Sequence, residues 1–331
     1  MIESKKICII YGGPSGEHDV SIKSAKNVLS SLKKEQYPGL EIYTLIEVFL
    51  DKEINFKIVD KEIKLNEENF FNYLKKEKVR YIIPMLHGEY GEDGKIQKKI
   101  ESIGIKYFGS DSVTSHSAMS KGIANKIFTE NNITIPKSLN IDKDNYLDDI
   151  KKTLSFPVIV KPMFGGSSVG LFKFKEYQDY VKYVNNFFNQ ESNQGAQLLL
   201  QEFVKGREFT CGVIDYKDST FPLSVTEVIL NTDTIFDYDT KYTAGACKEV
   251  TPADISTELS SEIKSLALKC HSLLGCKDIS RTDILLDFKT NKLYVLETNT
   301  LPGMTETSFI PAQLRESNIS IKDFFESKFE S

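Results

Sequence analysis

Apolar strands alternate with helical segments along the first 110 residues, and this alternation constrains the fold more than any other feature of the chain. The run "KICIIYGG" is continuously apolar and ends in glycines, and "VSIKSAKNVLSSLKK" then repeats apolar residues at helical spacing. Further strands are predicted at "EIYTLIEVFL", "VRYIIPML" and "GIKYFGS", with a helix at "GEDGKIQKKIES" before the last of them. Apolar strands separated by helices are typical of a parallel sheet covered on both faces. Residues 1–112 are therefore predicted to form an α/β domain.

Two more domains are expected after this one. Residues 113–203 contain two amphipathic segments, the strand and glycine-rich loop of "VIVKPMFGGSSVGLF", a helix from Glu176 to about Asn189 and the strand "QLLLQEFV", which together predict a small α+β domain. Residues 204–331 contain several long strands, a polar excursion over residues 231–255, a helix over roughly 257–275 and two strands that face each other. They predict a mainly antiparallel α+β domain, so the chain of 331 residues is expected to have three domains.

Charge and cysteine usage exclude several classes of partner. The formal net charge is -5, which leaves no basic surface of the kind that nucleic acids or anionic lipids require. No apolar segment approaches the ~18 residues that a membrane span needs. The five cysteines are scattered and form no CxxC pair, which is typical of a reducing compartment. We therefore expect a cytoplasmic protein without nucleic-acid or membrane partners.

Two facing strands near the C-terminus carry a cluster of charged and polar residues. They flank the turn "KTNK" in "ISRTDILLDFKTNKLYVLETNTLPG", and side chains two apart on a strand share a face. Arg281 and Asp283 thus project together, as do Glu297 and Asn299, and pairing brings Asp283 within about one residue of register with Glu297. Mg²⁺ favours one or two carboxylates and fills its other positions with water and substrate phosphates, so this patch suits Mg²⁺. The alternative is a surface hairpin whose charges pair with each other.

Three lysines are distributed as a polyphosphate requires. Lys161 ends the strand before the glycine-rich loop, Lys121 opens the helical segment "AMSKGIANKIF", and Lys241 lies in the polar excursion. A triphosphate needs separately anchored ammonium groups opposite a metal, and backbone N–H groups on its remaining oxygens. The lysine of the loop precedes the glycines, so a Walker-type P-loop is disfavoured. Taken singly, each lysine is more typical of a solvated surface, and only the combination indicates a nucleotide.

The turn "YGGPSGEHDVS" is not a GxGxxG dinucleotide motif, but it joins a strand to a helix. It carries Glu17 where the strand's C-terminus meets a crevice, the usual place for ligands in such sheets. A carboxylate that stabilises the helix N-terminus is the alternative for Glu17.

Eight segments, taken in order, resemble the D-alanine D-alanine ligases of the ATP-grasp superfamily. They are "GGPSGEHDVS", "LHGEYGEDGKIQ", "AMSKGIANK", "VIVKPMFGGSSVG", "QEFVKGREFT", "FDYDTKYTAGA", "SRTDILL" and "LETNTLPGMTETSF". They span residues 12–309 in the family's order and approximate spacing, which is far more specific than any one of them. The resemblance implies a three-domain ATP-grasp fold with ATP held between the central and C-terminal domains.

The resemblance also implies which residues bind the nucleotide and the metal. The nucleotide would be held by Lys121, Lys161, Ser168, Glu202, Phe203, Val204, Glu208 and Lys241. The implied Mg²⁺ ligands are Asp283, Glu297 and Asn299, the set that the hairpin argument gives independently, with Mn²⁺ as an alternative ion. Gln201 departs from the family, which usually has glutamate near the adenine amine, and we expect an altered nucleotide affinity at most.

The implied reaction is the ATP-dependent condensation of two D-alanines through an acyl phosphate. The family pattern makes Arg281 and the Gly303 N–H the donors to the tetrahedral oxyanion. It places Glu17 on the ammonium of the first D-alanine, with His87 near its carboxylate, and Ser308 on the carboxylate of the second. A hydrogen-bonded set is implied for Glu17, Ser167 and Tyr242. The excursion around Lys241 and Tyr242 is expected to close as a lid that keeps water from the acyl phosphate.

Two rival functions stay open at this point. The first is a related ATP-grasp ligase that uses D-serine, D-lactate or another amino acid as acceptor, although the tyrosine at position 242 favours D-alanine. The second is a nucleotide-binding sensor without turnover, which would have no need for the oxyanion donor Arg281. D-alanine and ATP are the expected small-molecule partners, and a homodimer is expected only because the family is often dimeric.

Overall fold

The computed structural model describes residues 5–33, 43–147, 150–166, 170–230 and 247–329. Four of the predicted site residues, Ser167, Ser168, Lys241 and Tyr242, lie outside the described residues, and so do residues 231–246 of the polar excursion that is expected to form the lid. The remainder of that excursion, residues 247–255, is described and begins with a strand. Within the described ranges, every helix is too short or too polar to cross a membrane.

The N-terminal part of the chain builds a six-stranded sheet. Its elements are β1 Lys5–Gly12, α1 His18–Lys33, β2 Tyr43–Leu50, β3 Phe56–Ile58, β4 Ile63–Leu65, α2 Glu67–Lys76, β5 Val79–Leu86, α3 Lys95–Ile103 and β6 Lys106–Tyr107. The strand order is β4-β3-β2-β1-β5-β6. β2, β1, β5 and β6 run parallel, as expected, whereas β3 and β4 add an antiparallel edge. The connections on either side of β3 are too short for the crossover that a parallel pair needs.

Both faces of this sheet are buried. Successive side chains of a strand point to opposite faces, so β1 contributes to two different cores. Ile7 and Ile9 pack into one core with residues of α1, and Cys8 and Ile10 into the other with residues of α2 and α3. Continuous burial on both faces explains why β1 reads as an unbroken apolar run rather than an alternating one.

A second, antiparallel sheet follows. Its region contains α4 Ser112–Met119, α5 Lys121–Glu130, β7 Ser138–Ile141, α6 Ile150–Thr153, β8 Val158–Pro162, β9 Phe172–Phe174, α7 Tyr177–Phe188, a 3₁₀ turn Glu191–Asn193 and β10 Leu198–Glu202. The strand order is β7-β10-β8-β9, and the glycine-rich loop connects β8 to β9. Tyr180, Val184 and Phe188, spaced four residues apart on one face of α7, are buried in the core of this sheet.

The third sheet is entirely antiparallel. Its region contains β11 Gly206–Tyr216, β12 Ser219–Leu230, β13 Cys247–Val250, α8 Thr257–Leu274, β14 Ile279–Asp287, β15 Leu293–Asn299, α9 Phe309–Glu316 and α10 Ile321–Phe329. The strand order is β13-β12-β11-β14-β15. α8 buries Ile263, Ala267, Cys270 and Leu274 in the core beside this sheet. The N-terminal sheet is parallel except for its β3–β4 edge, and two antiparallel α+β units follow it, which confirms the predicted fold class.

The first and third sheets are joined by a continuous core. Phe324 and Phe325 of α10 pack in the same cluster as Ile7 and Leu29 of the N-terminal part. Ala118, Ala124 and Phe128 of α4 and α5 belong to the core of the third sheet and not to that of the second. The domain boundaries 1–112, 113–203 and 204–331 stay a prediction, but this shared packing fixes the N-terminal and C-terminal site residues relative to one another.

Candidate active site

The β14–β15 hairpin pairs Asp283 directly with Glu297, and Arg281 with Asn299. Paired residues of an antiparallel ladder, and residues two apart on one strand, lie on the same face, so the four side chains share one face of the sheet. The register shifts by one residue between Asp283 and Ile284: Ile284 pairs with Val295, so an unshifted ladder would pair Asp283 with Leu296. The shift produces the pairing with Glu297, which lies within the one residue of register that the sequence predicted.

Arg281 and Asp283 form a bidentate ion pair. Arg281 donates from Nε to Asp283 Oδ1 at 2.9 Å and from Nη2 to Asp283 Oδ2 at 2.8 Å, and Thr210 Oγ1 donates to Asp283 Oδ1 at 2.6 Å. Burial alone would lower the pKa of Arg281, but the negative charges of Asp283, Glu297 and Glu92 together outweigh burial and raise the pKa. The pair uses two of the five guanidinium N–H groups. Because Arg281 stays positively charged and also lines a cavity, it can stabilise a negative charge that develops there.

A cavity of about 730 Å³ brings together the predicted substrate-side residues of the described chain. Its lining includes Glu17, His87, Arg281, Gly303 and Ser308, together with Asn299 of β15 and Gly166 of the glycine-rich loop. The volume falls in the range of about 300–1,000 Å³ that is usual for small-molecule sites. Residues nearly 300 positions apart in sequence therefore line one cavity.

The turn "GGPSGE" places Glu17 in this cavity. Gly12 ends β1 at φ 100°, and a Cβ there would lie 2.3 Å from Leu50 O, so this close approach to β2 requires glycine. Ser15 Oγ then donates to His87 O at 2.5 Å and accepts from Glu17 N–H at 3.1 Å. These bonds tie the Glu17 turn to the end of β5, where His87 follows.

His87 is buried, with 4% of its surface exposed, and is held at both ring nitrogens. Nδ1 lies 3.0 Å from Leu301 O and Nε2 lies 2.9 Å from Ser24 Oγ. Burial is the main cause that lowers the pKa of His87, partly offset by Glu17 and by the bond to Leu301. A neutral ring that donates from Nδ1 to the carbonyl and accepts at Nε2 from the hydroxyl satisfies both contacts.

A second, narrow cavity adjoins the first. It is lined by Lys121, Gly165, Gly166, Glu297 and Asn299, and it shares Glu92, Gly166 and Asn299 with the main cavity. Lys121 Nζ at the start of α5 donates to Gly165 O at 2.5 Å. One predicted phosphate-binding lysine, the glycine-rich loop and two predicted metal ligands thus meet at the edge of the main cavity.

The predicted adenine segment begins at Glu202, the last residue of β10. Glu202 N–H donates to Lys137 O and Phe203 N–H to Pro157 O, both at 2.9 Å, and Glu202 Oε1 accepts from Ser155 N–H at 2.7 Å. The Val204 N–H donates to no other described residue, so of the three N–H groups of this segment it is the one that can donate to a ring nitrogen of adenine.

The remaining nucleotide-side residues lie on two different sheets. Lys161 lies on β8 and pairs with Leu199 of β10, whereas Glu208 lies on β11 between Val228 and Leu285. Gln201 lies on β10, with 3% of its surface exposed. Lys161 and Glu208 line neither of the two cavities described above.

The donors on the hairpin fit a hard divalent cation. Asp283, Glu297 and Asn299 supply two carboxylates and an amide oxygen from adjacent positions of paired strands. No group of three or more His, Cys, Asp or Glu side chains in the described ranges has the arrangement of a self-sufficient metal site. Mg²⁺ does not require one, because it usually keeps water and substrate phosphates among its ligands.

The cavity also contains residues that sequence reasoning did not single out. Glu92 lies within the motif "LHGEYGEDGKIQ", and burial, followed by the charge of Glu17, raises its pKa to about 8. Burial also raises the pKa of Glu249 on β13, although Arg281 opposes this. Lys23 and Asn27 of α1 line the same wall. Because they lie four residues apart on a helix that begins beside Glu17, they share one face of that helix, and this spacing could have predicted that both line the cavity.

Models of one protein family match most of the chain. Residues 6–110 match the model described as the D-ala D-ala ligase N-terminus, and residues 122–328 match the D-ala D-ala ligase C-terminus.

Individual relatives and solved structures agree with these models. The D-alanine–D-alanine ligase of Leptospira biflexa is 34% identical, over 97% of this chain and 96% of the relative, and that of Clostridium beijerinckii is 31% identical, over 97% and 96%. The structure of D-alanine–D-alanine ligase from Bacillus anthracis complexed with ATP has a TM-score of 0.76 and 26% identity, covering 99% of this chain and 97% of the other. The VanG D-Ala:D-Ser ligase from Enterococcus faecalis has a TM-score of 0.81 and 26% identity, covering 98% of each chain. With the parallel N-terminal sheet, the antiparallel hairpin and the shared cavity already in place, these matches show that the chain belongs to the D-ala D-ala ligase family.

Proposed function

We propose that this chain is an ATP-dependent ligase that joins two D-alanines into D-alanyl-D-alanine, with ADP and phosphate as the other products, for peptidoglycan precursor synthesis in the cytoplasm. The observation that carries the proposal is the junction of the two cavities at Gly166 and Asn299. A carboxylate bound in the main cavity would there lie beside Lys121 and the glycine-rich loop, the groups proposed to contact the phosphates.

The first step activates a carboxylate, which is otherwise a poor electrophile. The γ-phosphoryl group of ATP passes to a carboxylate oxygen of the first D-alanine, which forms an acyl phosphate and releases ADP. Glu17 would hold the ammonium of this D-alanine, with His87 near its carboxylate. Lys121, Lys161 and Lys241 would neutralise the phosphates, with Ser168 from the loop. Such a transfer depends mainly on positioning and charge neutralisation.

Asp283, Glu297 and Asn299 are the residues that would hold Mg²⁺, or Mn²⁺ in its place. Bound there, the ion would neutralise charge on the phosphate oxygens. The remaining nucleotide contacts would come from Glu208 and from the segment Glu202, Phe203 and Val204.

The second step forms the peptide bond. The amine of the second D-alanine, whose carboxylate Ser308 would hold, attacks the carbonyl carbon of the acyl phosphate. The C–N bond forms, the C–O bond to phosphate breaks, phosphate leaves with the electron pair, and the attacking nitrogen loses its proton. Arg281 and the Gly303 N–H would stabilise the tetrahedral oxyanion, where one well-placed donor lowers the barrier by about 3 kcal/mol. Glu17, Ser167 and Tyr242 would form the hydrogen-bonded set around the substrate.

A related acceptor is the second candidate, because one structural relative is a D-Ala:D-Ser ligase. The test is phosphate release from ATP with D- and L-amino acids, singly and in pairs, with mass detection of the product. We expect release that requires D-alanine and a product with the mass of D-alanyl-D-alanine. A preference for D-serine or D-lactate as partner would favour the second candidate, and ATP binding without stimulation by any amino acid would indicate a sensor.

A further inference from the structure

Side chains of the N-terminal part form hydrogen bonds with the backbone of the loop that follows β15. At Leu301, the N–H donates to Glu92 Oε1 at 3.4 Å and the carbonyl accepts from His87 Nδ1 at 3.0 Å. At Met304, the N–H donates to Ser24 Oγ at 3.1 Å and the carbonyl accepts from Asn27 Nδ2 at 2.8 Å. Both backbone groups of each residue are thus fixed. We call the four side chains the clamp, and its members are Ser24, Asn27, His87 and Glu92.

The clamp encloses one predicted oxyanion donor. Between Leu301 and Met304 lie Pro302, which has no N–H, and Gly303. The Gly303 N–H is therefore the single backbone donor in the interval between the two fixed residues. Because peptide units are planar and Pro302 has a restricted φ, fixing Leu301 and Met304 strongly limits the directions that this N–H can take.

The clamp residues are themselves anchored. Ser24 Oγ and His87 Nε2 lie 2.9 Å apart, and Glu92 Oε2 accepts from Gly88 N–H at 2.7 Å. Ser24 is fully buried, and Leu301 and Met304 are 3% and 1% exposed, so water does not compete for these bonds. Such a network keeps its geometry more firmly than four independent surface contacts would.

We propose that Ser24, Asn27, His87 and Glu92 act together as positioning residues that aim the Gly303 N–H at the oxyanion of the tetrahedral intermediate. This inference rests on the proposed function, in which Gly303 is an oxyanion donor. Such donors act by being oriented before charge develops. A misplacement of about 1 Å in an active site costs on the order of 100-fold in rate, so a loosened clamp should slow the reaction without altering substrate binding.

The test compares variants that each remove one contact to Met304. Ser24→Ala and Asn27→Ala are expected to lower kcat by about 10-fold or more, with unchanged KM for ATP and D-alanine. Their affinity for a tetrahedral phosphinate analogue of the dipeptide, measured with ATP, is expected to fall by the same factor as kcat, because both report transition-state binding. Ser115→Ala is the matched control. Like Ser24, Ser115 is a fully buried serine whose hydroxyl bonds to the backbone, but it donates to the carbonyl of Ser110 and lies outside the cavity lining.

A second pair of variants tests rescue at His87. His87→Asn places an amide N–H close to the position of Nδ1 and can still donate to Leu301 O, whereas His87→Leu cannot. We expect His87→Asn to keep more kcat and more phosphinate affinity than His87→Leu. The melting temperature of each variant shows whether it is folded.

The outcomes separate the clamp from the proposed function. Absence of D-alanine-dependent phosphate release by the unaltered chain would overturn the proposed function. With that activity present, wild-type kcat and phosphinate affinity in Ser24→Ala and Asn27→Ala would overturn the clamp. A lower kcat with unchanged phosphinate affinity, or an equal loss in Ser115→Ala, would overturn it as well.

Discussion

Replacing Arg281 by lysine separates the structural role of this residue from its proposed role in catalysis. Lysine keeps the positive charge opposite Asp283 but lacks the planar fork that makes two parallel bonds at 2.9 and 2.8 Å. The buried carboxylate therefore keeps a counter-charge, and the penalty of an orphaned ion is avoided. At least one charge-assisted hydrogen bond is lost, which contributes about 1.5–3 kcal/mol to stability. We expect the free energy of unfolding to fall by about that amount.

The effect on rate is expected to be larger than stability alone would explain. If the remaining guanidinium N–H groups serve the oxyanion, their removal costs about 3 kcal/mol of transition-state stabilisation, or about 100- to 1,000-fold in kcat. The KM for ATP should stay the same, since Arg281 lines the cavity proposed for D-alanine.

The third sheet offers a matched control in Arg207. Arg207 binds Glu227 with the same fork, Nε to Oε1 at 2.6 Å and Nη2 to Oε2 at 2.8 Å, and its guanidinium lies 5.1 Å from the ring centre of Phe209. Arg281 has the equivalent contact with Phe309 at 5.4 Å. The Arg207 side chain is 34% exposed and lines no part of the main cavity, so Arg207→Lys should lose less stability and no activity.

The measurements are phosphate release at saturating ATP and D-alanine, and urea unfolding with a linear analysis of the transition. A wild-type kcat in Arg281→Lys would refute the assignment of Arg281 as an oxyanion donor. A similarly large loss of kcat in both variants would refute it as well, because it would show that the loss comes from the damaged ion pair of the sheet.

Three further changes have defined outcomes. Burial lowers the pKa of His271, so the folded chain binds fewer protons than the unfolded chain, and the free energy of unfolding should fall as the pH drops through about 6.5. His271→Gln should make the free energy of unfolding, measured by urea unfolding across the pH range, less dependent on pH. An unchanged pH dependence would contradict the reasoning. Glu297→Gln removes a carboxylate from the proposed metal site, so the Mg²⁺ concentration for half-maximal activity should rise by about 10-fold or more, whereas an unchanged Mg²⁺ titration would exclude Glu297 as a ligand. Gln201→Glu should alter the KM for ATP and leave the KM for D-alanine unchanged, as measured by initial rates, and a shift in the KM for D-alanine alone would place Gln201 away from the nucleotide.

Features that depend on neighbouring residues could be predicted from the sequence. The β14–β15 hairpin is one, because a short turn and a period of two bring Asp283 within about one residue of register with Glu297. The exact pairing depends on the register shift between Asp283 and Ile284, which the sequence did not indicate. α7 is another, observed at Tyr177–Phe188 where a helix from Glu176 to about Asn189 was expected. The antiparallel edge of the first sheet was less clear, since only the short connections around β3 indicated its direction.

Contacts between segments far apart in the chain could not be predicted from the sequence. No local pattern indicates that α1 and the loop after β5 hold the backbone of Leu301 and Met304, more than 200 residues away. The raised pKa of Glu92 is likewise a consequence of burial and of Glu17, and neither cause is visible in the segment that contains it. The periodicity of apolar residues indicates which face of a helix or strand is buried, whereas packing over the whole chain determines which other element covers that face. The sequence therefore determined the chemical groups of the site, and the packing of the first sheet against the third determined their arrangement around one cavity.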